Sequence, residues 1–156
     1  MKFNKFVVAA IAIGLSSAAM AQTIGKAEDK IRWRQSVMQT QGWSMARIKA
    51  NIDGTFNKDQ VVQAANMIQA IANSGSGGLF QPGTDTGKGW RDTNVKPEMF
   101  TNSAKLKEVG MAYNKEANEM AKVAASGDAA AVKAQFGNLG KACKGCHDEF
   151  RKEEKK

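Results

Sequence analysis

Five consecutive residues near the end of the chain, Cys143-Lys144-Gly145-Cys146-His147, hold both of its cysteines and its one histidine. Two thiols three positions apart, with an imidazole directly after the second, admit three chemistries. A structural zinc site takes four protein ligands. With no further Cys or His in the sequence, such a site stays incomplete unless a second chain completes it. A dithiol redox pair also uses C-x-x-C, but at the start of a helix inside a βαβ pattern. The third chemistry is covalent attachment of a c-type haem. There the sulfurs of Cys143 and Cys146 form thioether bonds to the vinyl groups, and His147 becomes the axial iron ligand on the proximal side. Counting the available ligands favours the third: one covalent haem c.

The other end of the chain bears on the same question. MKFNKFVVAAIAIGLSSAAMAQ carries Lys2 and Lys5, then an apolar run from Phe6 to Leu15, then small residues ending Ala19-Met20-Ala21. This is the pattern of a secretory signal peptide over residues 1–21, cleaved before Gln22. The apolar run is too short to span a bilayer. Export places the chain in an oxidising compartment such as the periplasm, where a free thiol pair tends to oxidise and capture by haem protects it. Residues 22–156 then form one domain. Its formal charge is about +6, because the signal removes two lysines from a total of +8. A basic protein invites a nucleic-acid reading. Export argues against it, as does the lack of a basic stripe interleaved with aromatics. The positive surface is instead suited to steering an acidic redox partner.

Something must position the five-residue cluster, and hydrophobic periodicity supplies four helices and no strand. The first is expected from Ala27 to Ile52, with Ile31, Met38, Met45 and Ile52 recurring every seven residues and Gly54 closing it. The second begins near Asn57 as its cap, and buries Val61, Ala65, Ile68 and Ala72. A long Gly/Pro-rich loop follows from Asn73 to Pro97, with Leu79, Phe80 and Trp90 as apolar anchors. A loop of that length in a compact domain usually serves a binding function. The third helix is expected from Asn102 to Ala125, with Leu106, Val109, Tyr113, Met120 and Val123 inward. Gly127-Asp128 breaks the chain and caps the fourth, whose stripe runs Val132, Phe136, Leu139, Cys143, Cys146, Phe150. Both cysteines therefore face the core. Short connections between long helices make an all-α, antiparallel up-down-up-down four-helix bundle, a fold that places cofactors between facing helices. Cys143, His147 and Arg151 stack at successive i+4 positions on the helix, and Arg34 and Met38 share one face of the first helix.

Four segments together carry a family resemblance. They are Trp33-Arg34-Gln35-Ser36-Val37-Met38, Pro82-Gly83-Thr84-Asp85-Thr86-Gly87, Lys96-Pro97-Glu98-Met99-Phe100, and Cys143 through Lys152. Across residues 22–156 the chain resembles the cytochrome c′ family, the class II c-type cytochromes, whose C-x-x-C-H lies near the C-terminus. The resemblance implies that Cys143 and Cys146 hold the haem and His147 binds iron. It implies that Arg34 and Gln35 lie beside the haem, Arg34 near a propionate, and that Thr84 and Asp85 line its edge. Asp85 stands where the family usually has Glu, one methylene shorter. Arg151 is implied to approach the proximal face. Without the family, the alternatives are a surface salt-bridge partner for Arg34, a solvated charge for Arg151 and ordinary turn chemistry for Thr84 and Asp85.

No second histidine exists for the sixth iron position, which makes Met38 decisive. As an iron ligand it defines a low-spin His/Met cytochrome acting purely in electron transfer, with a raised reduction potential. As a distal pocket filler it is a flexible apolar gate over an open site. Two functions from different classes follow: a one-electron carrier between periplasmic proteins, or a binder of small gases such as NO and CO at a crowded distal face. A peroxidase-like enzyme would want a distal acid–base group, and the stripe around Met38 is apolar, so the expectation is a protein that is not an enzyme. The resemblance further implies a homodimer through the first two helices, with Trp43 placed either in that contact or in the core.

Overall fold

Three of the long helices start where a short polar side chain accepts backbone N–H groups that lack a partner. The computed structural model describes residues 24–153, so the expected signal peptide, 1–21, lies outside the described residues. Helix α1 spans Ala27–Asp53, α2 Lys58–Asn73, α3 Glu98–Thr101, α4 Ser103–Ser126 and α5 Ala129–Phe150. Asn57 caps α2 by accepting from Gln60 N at 3.1 Å, and Asn102 caps α4 by accepting from Lys105 N at 3.1 Å. Asp128 caps α5 twice, from Ala130 N at 2.9 Å and Ala131 N at 3.1 Å. The residue before it, Gly127, ends α4 at φ +78°, a left-handed conformation that glycine adopts without steric penalty. Asp128→Ala removes both cap bonds and is expected to cost about 1 kcal/mol, read as a lower denaturant midpoint at unchanged slope.

The four long helices form the antiparallel up-down-up-down bundle: α1 packs on α2, α2 on α4, and α4 on α5, while α1 meets α5 only lightly. The main core joins Ile48 of α1, Val61, Ala64, Ala65 and Ile68 of α2, Ala117, Met120 and Ala124 of α4, and Val132 and Leu139 of α5. A second apolar cluster lies beyond it, built from Val95, Met99, Val109 and Phe150. Among the described residues there is no strand, only two isolated antiparallel bridges, Lys88 with Asp92 and Val95 with Arg151.

Three expectations change. The short helix α3 precedes α4, because Pro97 starts a turn that Asn102, at φ −102° and ψ 69°, interrupts before α4 begins. The seven-residue stripe on α1 is buried at Ile31 and half-buried at Met45 and Ile52, but Met38 is 39% exposed. A heptad drifts by about 20° per repeat on a straight helix, so no single stripe stays inward along its whole length. Trp90 is not buried as an anchor; it is 62% exposed and lies on α1 through polar contacts. Its indole Nε1 donates to the Ser36 hydroxyl at 2.9 Å, and the Arg32 guanidinium stands 5.1 Å from its ring centre. Leu79 and Phe80 are half-buried, and Phe80 does pack against the second apolar cluster.

Candidate cofactor site

Helix α5 is apolar on the side it turns to α4, and the two thiols extend that side. Both cysteines are free and half-buried. Cys143 packs against the main core, and Cys146, most of a turn later, packs against the second cluster beside Val95, Met99 and Phe150. Burial pushes the Cys143 thiol above its ordinary pKa, and burial with Cys143 nearby does the same to Cys146. Both lie in the last third of α5, toward the negative end of the helix dipole, which also disfavours a thiolate. A dithiol redox pair needs the opposite: a helix N-terminus that lowers the attacking thiol's pKa. The redox reading of C-x-x-C therefore has no support here.

His147 sits on the rim of the same helix. As a residue it is exposed, yet shielding of its ring, then the Arg151 charge, push its pKa below the ordinary histidine value, with Asp148 pulling the other way. A neutral imidazole is the form that can donate its lone pair to a metal. Arg151 does not stack one turn above His147, because α5 ends at Phe150 and Arg151 is extended, at φ −110° and ψ 128°. Its backbone N–H donates to His147 O at 3.0 Å, and the chain then pairs with the loop ahead of α3. Lys96 N donates to Phe150 O at 2.8 Å and Lys152 N to Asn94 O at 2.7 Å. This strap fixes the end of the helix that carries His147, and Arg151 acts on His147 by charge from just beyond it.

On α1, Arg34 and Gln35 are both buried and both turned to the long loop. Arg34 donates to Leu79 O, to the hydroxyls of Thr84 and Thr93, and to Thr84 O. Burial lowers its pKa, with Asp85 opposing. Gln35 donates through Nε2 to Arg91 O at 2.9 Å and accepts from Trp90 N at 2.8 Å. Thr84 is buried, whereas Asp85 is half-buried and offers its backbone O to Lys152 Nζ at 3.3 Å. Arg34 is thus no surface charge. One turn on, Met38 Sδ accepts a hydrogen bond from Gln41 Nε2 at 3.7 Å.

The family model described as cytochrome C′ matches residues 29–151 of this chain. The chain belongs to the cytochrome c′ family. It is 62% identical to the cytochrome c′ of Rhodocyclus tenuis over 130 residues, 83% of this chain and 98% of the relative. It is 46% identical to that of Allochromatium vinosum over 141 residues, 90% of this chain and 91% of the relative. Among solved structures, a cytochrome c′ described as having an unusual ligand-controlled dimer dissociation matches with a TM-score of 0.80 at 46% identity. That match covers 83% of this chain and 98% of the other. The cytochrome c′ of Thermochromatium tepidum matches at 0.79 and 43% identity, with the same coverage.

A cytochrome c′ carries one covalently bound haem c, and the donor set at the end of α5 suits that group. Two neutral thiols on the inward side can add to vinyl groups, an apolar wall stands behind each, and a neutral imidazole follows at once. Among the described residues no three His, Cys, Asp or Glu side chains gather into a metal cage. Sequence reasoning missed three contacts around this cytochrome's site. Thr93 completes the Arg34 network, and Lys30 Nζ reaches Gln81 Oε1 across the loop. Tyr113 OH donates to Gln41 Oε1 at 2.5 Å, tying α4 to α1, and burial with Cys143 nearby holds its phenol far above the ordinary value. Thr93 could have been noticed as a third threonine in the loop after Thr84 and Thr86, but the other pairs lie 51 and 72 residues apart and leave no local mark.

Proposed function

We propose that this protein is a periplasmic, non-enzymatic monohaem cytochrome c′ that binds small neutral gases such as NO or CO at a crowded distal face and passes single electrons. Residues 1–21 serve as a cleaved signal peptide. Cys143 and Cys146 hold the haem covalently, His147 is the proximal ligand, and Thr84 and Asp85 stand at the haem edge. When bound, the haem supplies reversible one-electron chemistry and an axial site for a diatomic. The chain's own residues do the rest. His147 offers a neutral nitrogen, the apolar clusters behind the thiols exclude water, and Arg151 places a positive charge beside the imidazole. The observation that carries this reading is the single imidazole that follows a half-buried thiol pair, in a chain with no second histidine.

Met38 acts in this reading as a gate. Its side chain lies on a partly exposed face of α1, where its sulfur accepts from Gln41 Nε2. The test is an absorption spectrum of the purified protein, oxidised and reduced, before and after carbon monoxide. A high-spin ferrous spectrum that shifts on carbon monoxide is expected. A sharp low-spin spectrum indifferent to the gas would assign Met38 to the iron and leave electron transfer alone. The protein works as a homodimer through α1 and α2, where Trp43, 57% exposed with Arg47 4.8 Å from its ring, and Met67 offer apolar surface. The relative with ligand-controlled dimer dissociation supports that assembly. Sedimentation of the same samples with and without carbon monoxide reads it; a monomer under both conditions excludes it.

A further inference from the structure

We propose, on the haem reading above, that Lys30 is a cofactor-binding residue: a second cationic contact, beside Arg34, for the carboxylates of the haem. Lys30 and Arg34 stand four apart on α1, so their side chains leave one face of the helix a turn apart. Lys30 is 7% exposed and Arg34 4%. Burying one charge is costly unless an opposite charge meets it. Here two like charges are buried on the same face.

No carboxylate of the described residues meets either of them. Neither Lys30 nor Arg34 belongs to any ion pair among those residues. Asp29, next to Lys30 in the chain, is taken by Arg32 Nη1 at 3.5 Å and by Lys26 N at 3.2 Å. Asp85 acts on Arg34 by charge and forms no hydrogen bond with it. An ammonium has three N–H donors, and the hydrogen bond that Lys30 makes goes to Gln81 Oε1, a neutral amide oxygen. A tie between helix and loop needs only a neutral donor there; a buried ammonium calls for an anion. The hydrogen bonds of Arg34 all leave from Nη1 and Nη2 and end on neutral oxygens of Leu79, Thr84 and Thr93, so its Nε–H has no partner among the described residues.

The surroundings of the pair suit the acidic end of a haem. Gln81 follows Phe80, whose ring centre is 5.1 Å from the Arg34 guanidinium carbon. Phe80 packs against the apolar cluster of Val95, Met99, Val109 and Phe150, and Cys146 packs against the same cluster. A group bonded to Cys146 therefore meets an apolar wall, with two cations on the other side of Phe80. Haem c has that division, with hydrocarbon at the edge that bonds the sulfurs and two carboxylates on its propionate arms. Arg34 stands near a propionate by the family resemblance. Lys30 then supplies a second positive charge for a ligand that carries two negative ones.

The test reads two properties of the holoprotein in Lys30→Gln, Lys30→Arg and Gln81→Ala: the reduction potential against pH, and the propionate bending modes in the resonance Raman spectrum. A cation beside a carboxylate holds its pKa down, and a positive charge near iron favours the reduced state. Lys30→Gln should therefore lower the potential, move its carboxylate-linked inflection up by roughly one pH unit, and shift the bending modes. Lys30→Arg keeps the charge and should stay close to the unaltered protein in all three. Gln81→Ala removes the loop tie but leaves the charge, and should leave the inflection in place. An inflection and bending modes unchanged by Lys30→Gln, in protein that carries its haem, would overturn the proposal and leave Lys30 as a tie to the loop. Equal changes in Gln81→Ala and Lys30→Gln would overturn it too, because a displaced loop then accounts for both. Should Lys30→Gln fail to fold, Lys30→Met, apolar and of similar length, carries the same expectations. Protein that shows no haem by staining after denaturing electrophoresis would overturn the haem reading itself, a result distinct from the failure of Lys30 alone.

Discussion

Replacing Cys143 and Cys146 together by alanine is expected to leave a protein with no covalently bound haem, judged by haem staining after denaturing electrophoresis. The two sulfurs are the only thiols in the chain, so no other side chain can form the thioether bonds. Each single variant should retain one attachment, with the reduced pyridine complex absorbing at a longer wavelength because one vinyl group stays unsaturated. The effect on the fold should be graded differently. Both thiols are half-buried at the edge of apolar clusters that α2, α3 and α4 largely supply, so α5 has packing partners independent of its cysteines. The double variant is therefore expected to remain helical by circular dichroism while losing its visible absorbance. Haem that stays attached through denaturation of the double variant would remove Cys143 and Cys146 from the site.

Leu139→Ala is expected to cost about 3 kcal/mol of stability and to lower the melting temperature by roughly 10 °C. Leu139 is 0% exposed and lies one turn before Cys143, inside the cluster that joins all four long helices. Truncation removes buried apolar surface and opens a space that the helices cannot close without separating. It should also loosen the helix that carries the thiols, because α5 meets α1 only lightly and depends on its seam with α4. Lys133→Ala, on the exposed side of the same helix, is the control and should change stability by no more than about 0.5 kcal/mol. Thermal unfolding followed at 222 nm compares the two. A Leu139→Ala loss as small as that of the lysine variant would mean that the seam is not packed as described.

The sequence alone determined everything that rests on local spacing. The helix caps Asn57 and Asp128 were legible because capping is an interaction across two or three residues. The inward stripe of α5 was legible because six apolar positions at helical spacing admit no other face. The haem reading of Cys143, Cys146 and His147 rests on local spacing too, because their adjacency in sequence is itself the signature. The four-helix bundle followed from run lengths and short connections.

Tertiary structure decided what depends on pairs far apart in the chain. The residue spacing left Arg34 between a surface charge and a haem contact; its partners Thr84 and Thr93 are 50 and 59 residues away, and nothing local marks them as acceptors. Met38 read as part of an apolar stripe, but whether a residue at that position is covered depends on where α5 and the loop lie, and it is partly exposed. Arg151 continued the i+4 row of the helix, yet the backbone left the helix one residue earlier, drawn into the bridge with Val95 by two hydrogen bonds that no helical pattern announces. Periodicity reports which face of an element is apolar; only the packed chain decides what that face meets.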